Sequence, residues 1–261
     1  MAVSIEKISS KSILTRSGID GIDYCVNPYM GCMHGCLYCY AMFMKKYTGH
    51  GEDWGAFVDI KTNAATVLRK QLQSAKRGNV IISSVTDPYQ PVEARYKVTR
   101  QCLEALLEYQ YPVEVLTKSS LIMRDVDLLS QFEDVEVGIS ITTENDRIRR
   151  AFEPKTSPIA VRIRTLKALR EKGIKTYVFV GPVLPMEPEE LAAQIAPYAE
   201  YVLIDRMNYT SKTVKIYKDL KLTQWLEKGF TENIIHRLKD ALGTKAIEVR
   251  GARSASTCRC A

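Results

Sequence analysis

The stretch NPYMGCMHGCLYCY, residues 27–40, sets Cys32, Cys36 and Cys39 in a C-x3-C-x2-C array. Thiols this close can grip one metal centre without help from distant parts of the chain. A closed structural zinc site takes four protein ligands, and an iron–sulfur cube has four corners to fill. No fourth Cys or His follows at the usual short spacing, and His34 lies inside the loop, where it would have to fold back on its own neighbours. The array suggests a four-iron cluster with one iron left for a ligand that is not protein. A three-ligand zinc or redox site is the alternative.

Around this loop the chain has 261 residues, enough for one large domain, with 37 basic and 30 acidic side chains and a net charge of +7. That excess permits a polyanionic partner without requiring one. Seven cysteines, three of them clustered, do not make a disulfide scaffold in a chain of this length and fit a reducing cytoplasm. The opening MAVSIEKISSKS has no apolar signal-peptide core. The longest apolar stretch, Tyr177 to Met186, is interrupted by Gly181, Pro182 and Pro185 and falls short of the roughly 20 residues of a membrane span. The expectation is a soluble cytoplasmic protein. An open cluster corner also implies oxygen sensitivity, hence an anaerobic setting or a guarded site.

The elements that must position the loop follow from periodicity. Residues 1–20 are polar and read as an irregular lead-in, and 22–27 alternate as a short strand that delivers the cysteines. The segment AMFMKKY after Cys39 is compatible with a short helix, 49–55 is loop, and 62–75 carries Ala64, Val67, Leu68 and Leu72 on one helical side. Strands are expected at 79–85, 113–117, 135–142, 174–180, 201–206 and 246–249. Between them helices are expected at 99–109, 121–132, 157–172 and 187–198, with a broken one over 222–242. Pro158 suits a first helical turn, where a missing N–H is harmless. Strand–helix alternation indicates an α/β fold with a parallel sheet and outer helices. About six β/α units are fewer than the eight of a full TIM barrel. The division expected is a lead-in (1–20), a core (21–210) and a C-terminal helical extension with a Cys-containing tail (211–261), together one domain.

Ligands gather at the carboxyl ends of such strands. Those ends read SSVTDPYQPVE from Ser83, TKSS from Thr117, SITTE from Ser140, GP at Gly181 and DRMN from Asp205. Together with the cysteine array, the motifs TDPYQPVE, LTKSSLIMRDVDLL, SITTENDRIRRAFEP and RTLKALREKGIKTYVFVGPVLP resemble the radical SAM superfamily, in its spore photoproduct lyase-like branch. The resemblance covers roughly residues 24–185 and implies an open partial TIM barrel, about (β/α)6. It implies a [4Fe–4S] cluster on Cys32, Cys36 and Cys39, and S-adenosylmethionine on the open iron. It also implies that Tyr38 lies against the adenine, with Tyr40 beside it. Lys118 would pair with the methionine carboxylate; Thr86, Ser140 and Thr142 would bond the amino-acid or ribose moiety. Arg162 would face the cofactor carboxylate, and Gly181 to Val183 would offer backbone to the adenine edge.

The chemistry implied is reductive cleavage of S-adenosylmethionine to a 5′-deoxyadenosyl radical that takes hydrogen from a substrate, with reduced ferredoxin or flavodoxin as electron donor. Spore photoproduct lyase uses a strand-end cysteine as hydrogen-atom donor, where this chain has Ser84, whose O–H is too strong to donate well. Cys258 and Cys260 form a C-x-C at the far end of the sequence. They are candidates for that donor or for a further metal site, with a loose tail as the alternative; Cys25 and Cys102 are expected to be buried filler. Basic residues gather at 147–172 and recur at Lys212, Lys215, Lys218 and Lys221, a pattern shared by phosphate-tracking surfaces and solvated helices. Three readings follow: a radical SAM enzyme acting on nucleic acid, one acting on a peptide or small metabolite, and a non-catalytic metal-binding module.

Overall fold

A computed structural model describes residues 3–208 and 210–249; Cys258 and Cys260 lie outside the described residues. The chain opens with β1 (Ser4–Ile8), β2 (Leu14–Arg16), β3 (Tyr24–Val26) and β4 (Tyr29–Met30). The cysteine loop and a 3-10 turn (Tyr40–Tyr47) come next, then β5 (Phe57–Lys61) and α1 (Ala64–Leu72). Alternation follows: β6 (Val80–Ile82), α2 (Glu93–Tyr96), α3 (Val98–Leu107), β7 (Val113–Thr117), α4 (Val126–Leu129), β8 (Val135–Ser140), α5 (Asp146–Phe152), α6 (Ile159–Glu171) and β9 (Lys175–Val180). It ends with α7 (Pro188–Ile195), β10 (Tyr201–Ile204), α8 (Val214–Asp219), α9 (Lys228–Leu242) and β11 (Ala246–Glu248).

The main sheet runs β11-β10-β9-β8-β7-β6-β3-β2, parallel from β3 to β11, with only β2 antiparallel. Its two edge strands do not pair with each other, so the barrel is open. Val80, Ile82, Val115, Val137, Val178 and Val180 are fully buried, as β-branched strands covered by crossover helices should be. The helices present the matching stripes: α3 buries Cys102, Leu103 and Leu106. One apolar cluster runs from Ile13 to Leu242.

Three local departures have physical reasons. The N-terminal residues are not irregular: β1 pairs in parallel with β5, and β2 with β3. Because β1 buries little, its sequence carries no apolar alternation. Strand β5 went unread because its four buried residues include Asp59. The helix expected over 121–132 splits into a 3-10 turn (Ser120–Asp125) and α4. At the join, Asp125 is fully buried and accepts from Arg100 and Arg124. The broken helix expected over 222–242 is present as a 3-10 turn (Thr223–Leu226) and α9, parted at the extended Glu227.

Gly138 on β8 lies opposite Tyr177 on β9. A Cβ there would stand 2.2 Å from the Tyr177 ring. That ring is stacked on Tyr201 at 5.1 Å and its hydroxyl donates to Glu114, so it has nowhere to retreat. Gly138→Ala is expected to lose about 1–3 kcal/mol or more of stability through overpacking; an unchanged urea midpoint would contradict this packing.

Candidate active site

The cysteine loop leaves the main sheet at β3 and is bent by Gly31, whose φ is +81°. A Cβ on Gly31 would stand 2.6 Å from the Phe57 carbonyl oxygen, so only glycine allows the loop to lie this close to β5. Further turns bring Gly35 N–H to the Cys32 carbonyl at 3.2 Å and Cys39 N–H to the Cys36 carbonyl at 3.1 Å. Cys32 and Cys36 are buried and Cys39 is partly so.

Burial pushes the Cys32 thiol up to about 12, with Asp87 adding to it. Burial likewise lifts Cys36 well above the ordinary thiol value, against the opposing pull of Lys118, and raises Cys39. Thiolates, not thiols, ligate metal, so an occupying cationic centre supplies the stabilisation that burial removes.

Side chains from the strand ends fasten the loop. Gln90, fully buried, accepts from Met33 N–H at 2.9 Å and donates to the Gly31 carbonyl at 3.2 Å. Asp87 lies 3.3 Å from His34 Nδ1 and accepts from the Thr117 hydroxyl at 2.7 Å and the Lys118 N–H at 2.8 Å. Burial opposes its charge, yet His34 first and these donors next hold Asp87 down to about 2. Leu37 N–H donates to the Phe152 carbonyl at 2.9 Å. The Tyr38 hydroxyl donates to Glu153, a carboxylate with no exposure that also accepts from Thr142 and from Arg162. Burial opposes the Glu153 charge, but Arg162 and then Lys118 hold its pKa below the usual range.

The residues named from sequence do converge on this end of the sheet, with differing freedom. Lys118 has no hydrogen-bonding or ion-pairing acceptor for its ammonium among the described residues; Nζ stands 5.9 Å from the centre of the Tyr38 ring. Its pKa is raised because Glu153 and Cys36 outweigh the burial that would lower it. Thr86 Oγ1 is buried without a partner, as is Ser83 Oγ. Ser84 accepts from Asn27 at its hydroxyl and from the Tyr40 hydroxyl at its carbonyl. The Val183 N–H is taken by the Asp205 carbonyl, and Gly181 is buried ahead of a cis proline. Four of the five Arg162 N–H donors go to the Ser157 carbonyl, the Ser140 carbonyl, Glu153 and Thr156, so its guanidinium is largely engaged in positioning other groups. Asp87, Gln90 and Glu153 stand inside the motifs TDPYQPVE and SITTENDRIRRAFEP, where sequence gives no measure of their burial.

The basic series is partly ion-paired among the described residues. Arg149 binds Asp146, Lys167 lies near Glu171, Arg170 binds Glu200 and Lys215 binds Asp219. The described residues contain no helix long and apolar enough to cross a membrane.

Residues 26–196 match the radical SAM superfamily. An uncharacterized protein of Methanocaldococcus jannaschii is 32% identical over 233 residues, 88% of this chain and 85% of that one. A radical SAM Nalpha-GlyT isomerase of Pseudomonas phage M6 is 30% identical over 161 residues, 60% of this chain but 32% of that protein. Spore photoproduct lyase complexed with dinucleoside spore photoproduct shares the fold at TM-score 0.68 and 14% identity, over 94% of this chain and 81% of that one. Streptococcus suis SuiB bound to its precursor peptide SuiA does so at TM-score 0.52 and 14% identity, over 97% of this chain and 49% of that one.

Glu153→Gln leaves the buried Arg162 charge without its counter-charge, and a loss of about 3–5 kcal/mol is expected in denaturant unfolding. Combining it with Arg162→Met should recover much of that loss. A double variant less stable than the single one would contradict this account of the pair.

Proposed function

The chain belongs to the radical SAM superfamily, and we propose that Cys32, Cys36 and Cys39 hold a [4Fe–4S] cluster whose remaining iron takes S-adenosylmethionine. The observation that carries this reading is the loop of two buried and one partly buried cysteines, backed by a lysine ammonium with no acceptor of its own among the described residues. When bound, the two groups supply a 5′-deoxyadenosyl radical that abstracts hydrogen from a substrate. The residues of this chain bind, orient and shield. Lys118 pairs with the methionine carboxylate, as a point charge suits one carboxylate oxygen. Thr86, with its partnerless buried hydroxyl, donates to the amino-acid or ribose moiety, and Ser140 and Thr142 line that side. Tyr38 is pinned by Glu153 so that its ring backs the loop and, with Tyr40, borders the adenine. Gly181 and the Val183 carbonyl meet the adenine edge.

The substrate we propose is a nucleobase or nucleotide. Spore photoproduct lyase with its dinucleoside ligand supports this class. The peptide-bound SuiB, at lower similarity, keeps a peptide substrate as the second reading. Ser84 in place of a thiol argues against a simple copy of the lyase step, and a small reduced ferredoxin or flavodoxin is the expected electron donor.

Anaerobically purified protein is expected to carry four irons with matching sulfide per chain and to release 5′-deoxyadenosine only with dithionite; stoichiometric zinc at these cysteines would refute the radical chemistry. Lys118→Ala should weaken S-adenosylmethionine binding about tenfold or more, as a lost charged hydrogen bond of about 1.5–3 kcal/mol does, while iron content stays the same. Nucleic-acid affinity should fall steeply between about 50 and 200 mM salt; an affinity that ignores salt would favour the peptide reading.

A further inference from the structure

Among the described residues, one set of metal-ligating groups converges outside the cysteine loop. Glu6 on β1, His50 in the segment after the 3-10 turn, and Asp59 on β5 bring one ligand atom each to within 4.8 Å of one another. We propose that these three residues bind a divalent cation of the zinc class, with Glu52 orienting the imidazole, and that the ion braces the base of the cysteine loop. The proposal does not depend on the radical reading.

The strand register supplies the first argument. Glu6 and Asp59 are direct partners in the parallel β1–β5 pair. Like charges facing each other across adjacent strands destabilise the pairing unless a cation joins them. The nearby carboxylates of Glu6, Glu52 and Asp59 bring three formal negative charges. A protonated His50 returns one positive charge; a divalent ion beside a neutral imidazole returns two.

The histidine is prepared as a ligand. Its ring stacks on Phe57 at 4.4 Å between centroids, and its side chain and that of Asp59 are only 5% and 8% exposed. Nδ1 lies 3.4 Å from Glu52 Oε2, while Nε2 faces Asp59 Oδ1 at 2.6 Å. A carboxylate on the far nitrogen is how proteins fix the tautomer and direction of a metal-bound histidine. Metal bonds of about 2.0–2.2 Å set two ligands of one tetrahedron about 3.4 Å apart, so Nε2 and Oδ1, at 2.6 Å, would open by about 0.8 Å. Glu6 is exposed, which leaves an entry path and a fourth position for water, and one nitrogen with two carboxylate oxygens is a donor set zinc accepts. The competitor is a proton: Asp59 and Glu6 raise the His50 pKa against the opposing effect of burial.

The location gives the ion its consequence. Asp59 pairs with Met30 in the antiparallel β4–β5 ladder, two residues before Cys32. His50 follows the 3-10 turn that continues from Cys39. One ion would tie both ends of the cysteine segment to β1.

The test counts zinc and iron separately on the full chain, reconstituted anaerobically and then supplied with Zn2+. One zinc per chain is expected beside the iron, and Glu6→Gln, at an exposed position that does not threaten folding, should weaken Zn2+ binding about tenfold or more without altering iron content. His50→Gln should do the same. The Cys32→Ser, Cys36→Ser, Cys39→Ser triple variant should still bind one Zn2+ in competition with a chromophoric chelator. Absence of zinc in the iron-loaded chain, or an affinity that ignores Glu6→Gln and His50→Gln, overturns the proposal. Loss of zinc in a folded triple-cysteine variant overturns it too, by assigning the metal to the cysteines.

Discussion

A carboxylate with no contact to water, Glu153, accepts from Tyr38 in the cysteine loop, Thr142 beyond β8 and Arg162 on α6. The rest of the site depends on this junction. Burying a carboxylate and a guanidinium together is tolerable only when their hydrogen-bonding capacity is also met. Arg162 goes most of the way by directing three further donors to Ser140, Ser157 and Thr156. The loop before α6, the end of β8 and the cysteine loop thus share one charge pair, and none can shift without unpairing it.

The same junction explains why two cations near the loop behave differently. Arg162 has planar donors pointing several ways and is absorbed into the scaffold. Lys118, one strand away, feels Glu153 and Cys36 strongly enough to keep its proton despite burial. Its ammonium nevertheless has no protein acceptor among the described residues. A half-buried cation held charged but not bonded is poised for an anion from outside, whereas Arg162 is already neutralised. The thiols are the complement. Burial disfavours their charged form, so the loop favours thiolates only together with a cationic centre.

The small β1-β5-β4 sheet is the second support. It sets the approach to Cys32 through β4, and the close passage of Gly31 over Phe57 locks that approach. The loop is held from the main sheet by Asp87, Gln90 and Glu153, and from the other side by β5. Rigidity of this kind suits the proposed radical chemistry, in which the protein's task would be placement and exclusion of water rather than proton transfer.

The sequence alone determined the cysteine triad, the parallel alternation after Asn79, the open architecture of about six units, and the clustering of Thr86, Lys118 and Thr142 at strand ends. These features are local: ligand spacing, apolar period and turn chemistry are written within short windows. Tertiary structure decided the others. Strands β1 and β5 owe their pairing to each other, across a separation of some fifty residues that no window spans, and an exposed β1 carries no apolar alternation. Whether a charged residue is scaffold or site also depends on distant neighbours: Arg162 and Lys118 look alike in sequence, and only the position of Glu153 spends one and leaves the other open. Glu6, His50 and Asp59 are a trio for the same reason, since the strand register that brings them together is a property of the folded chain.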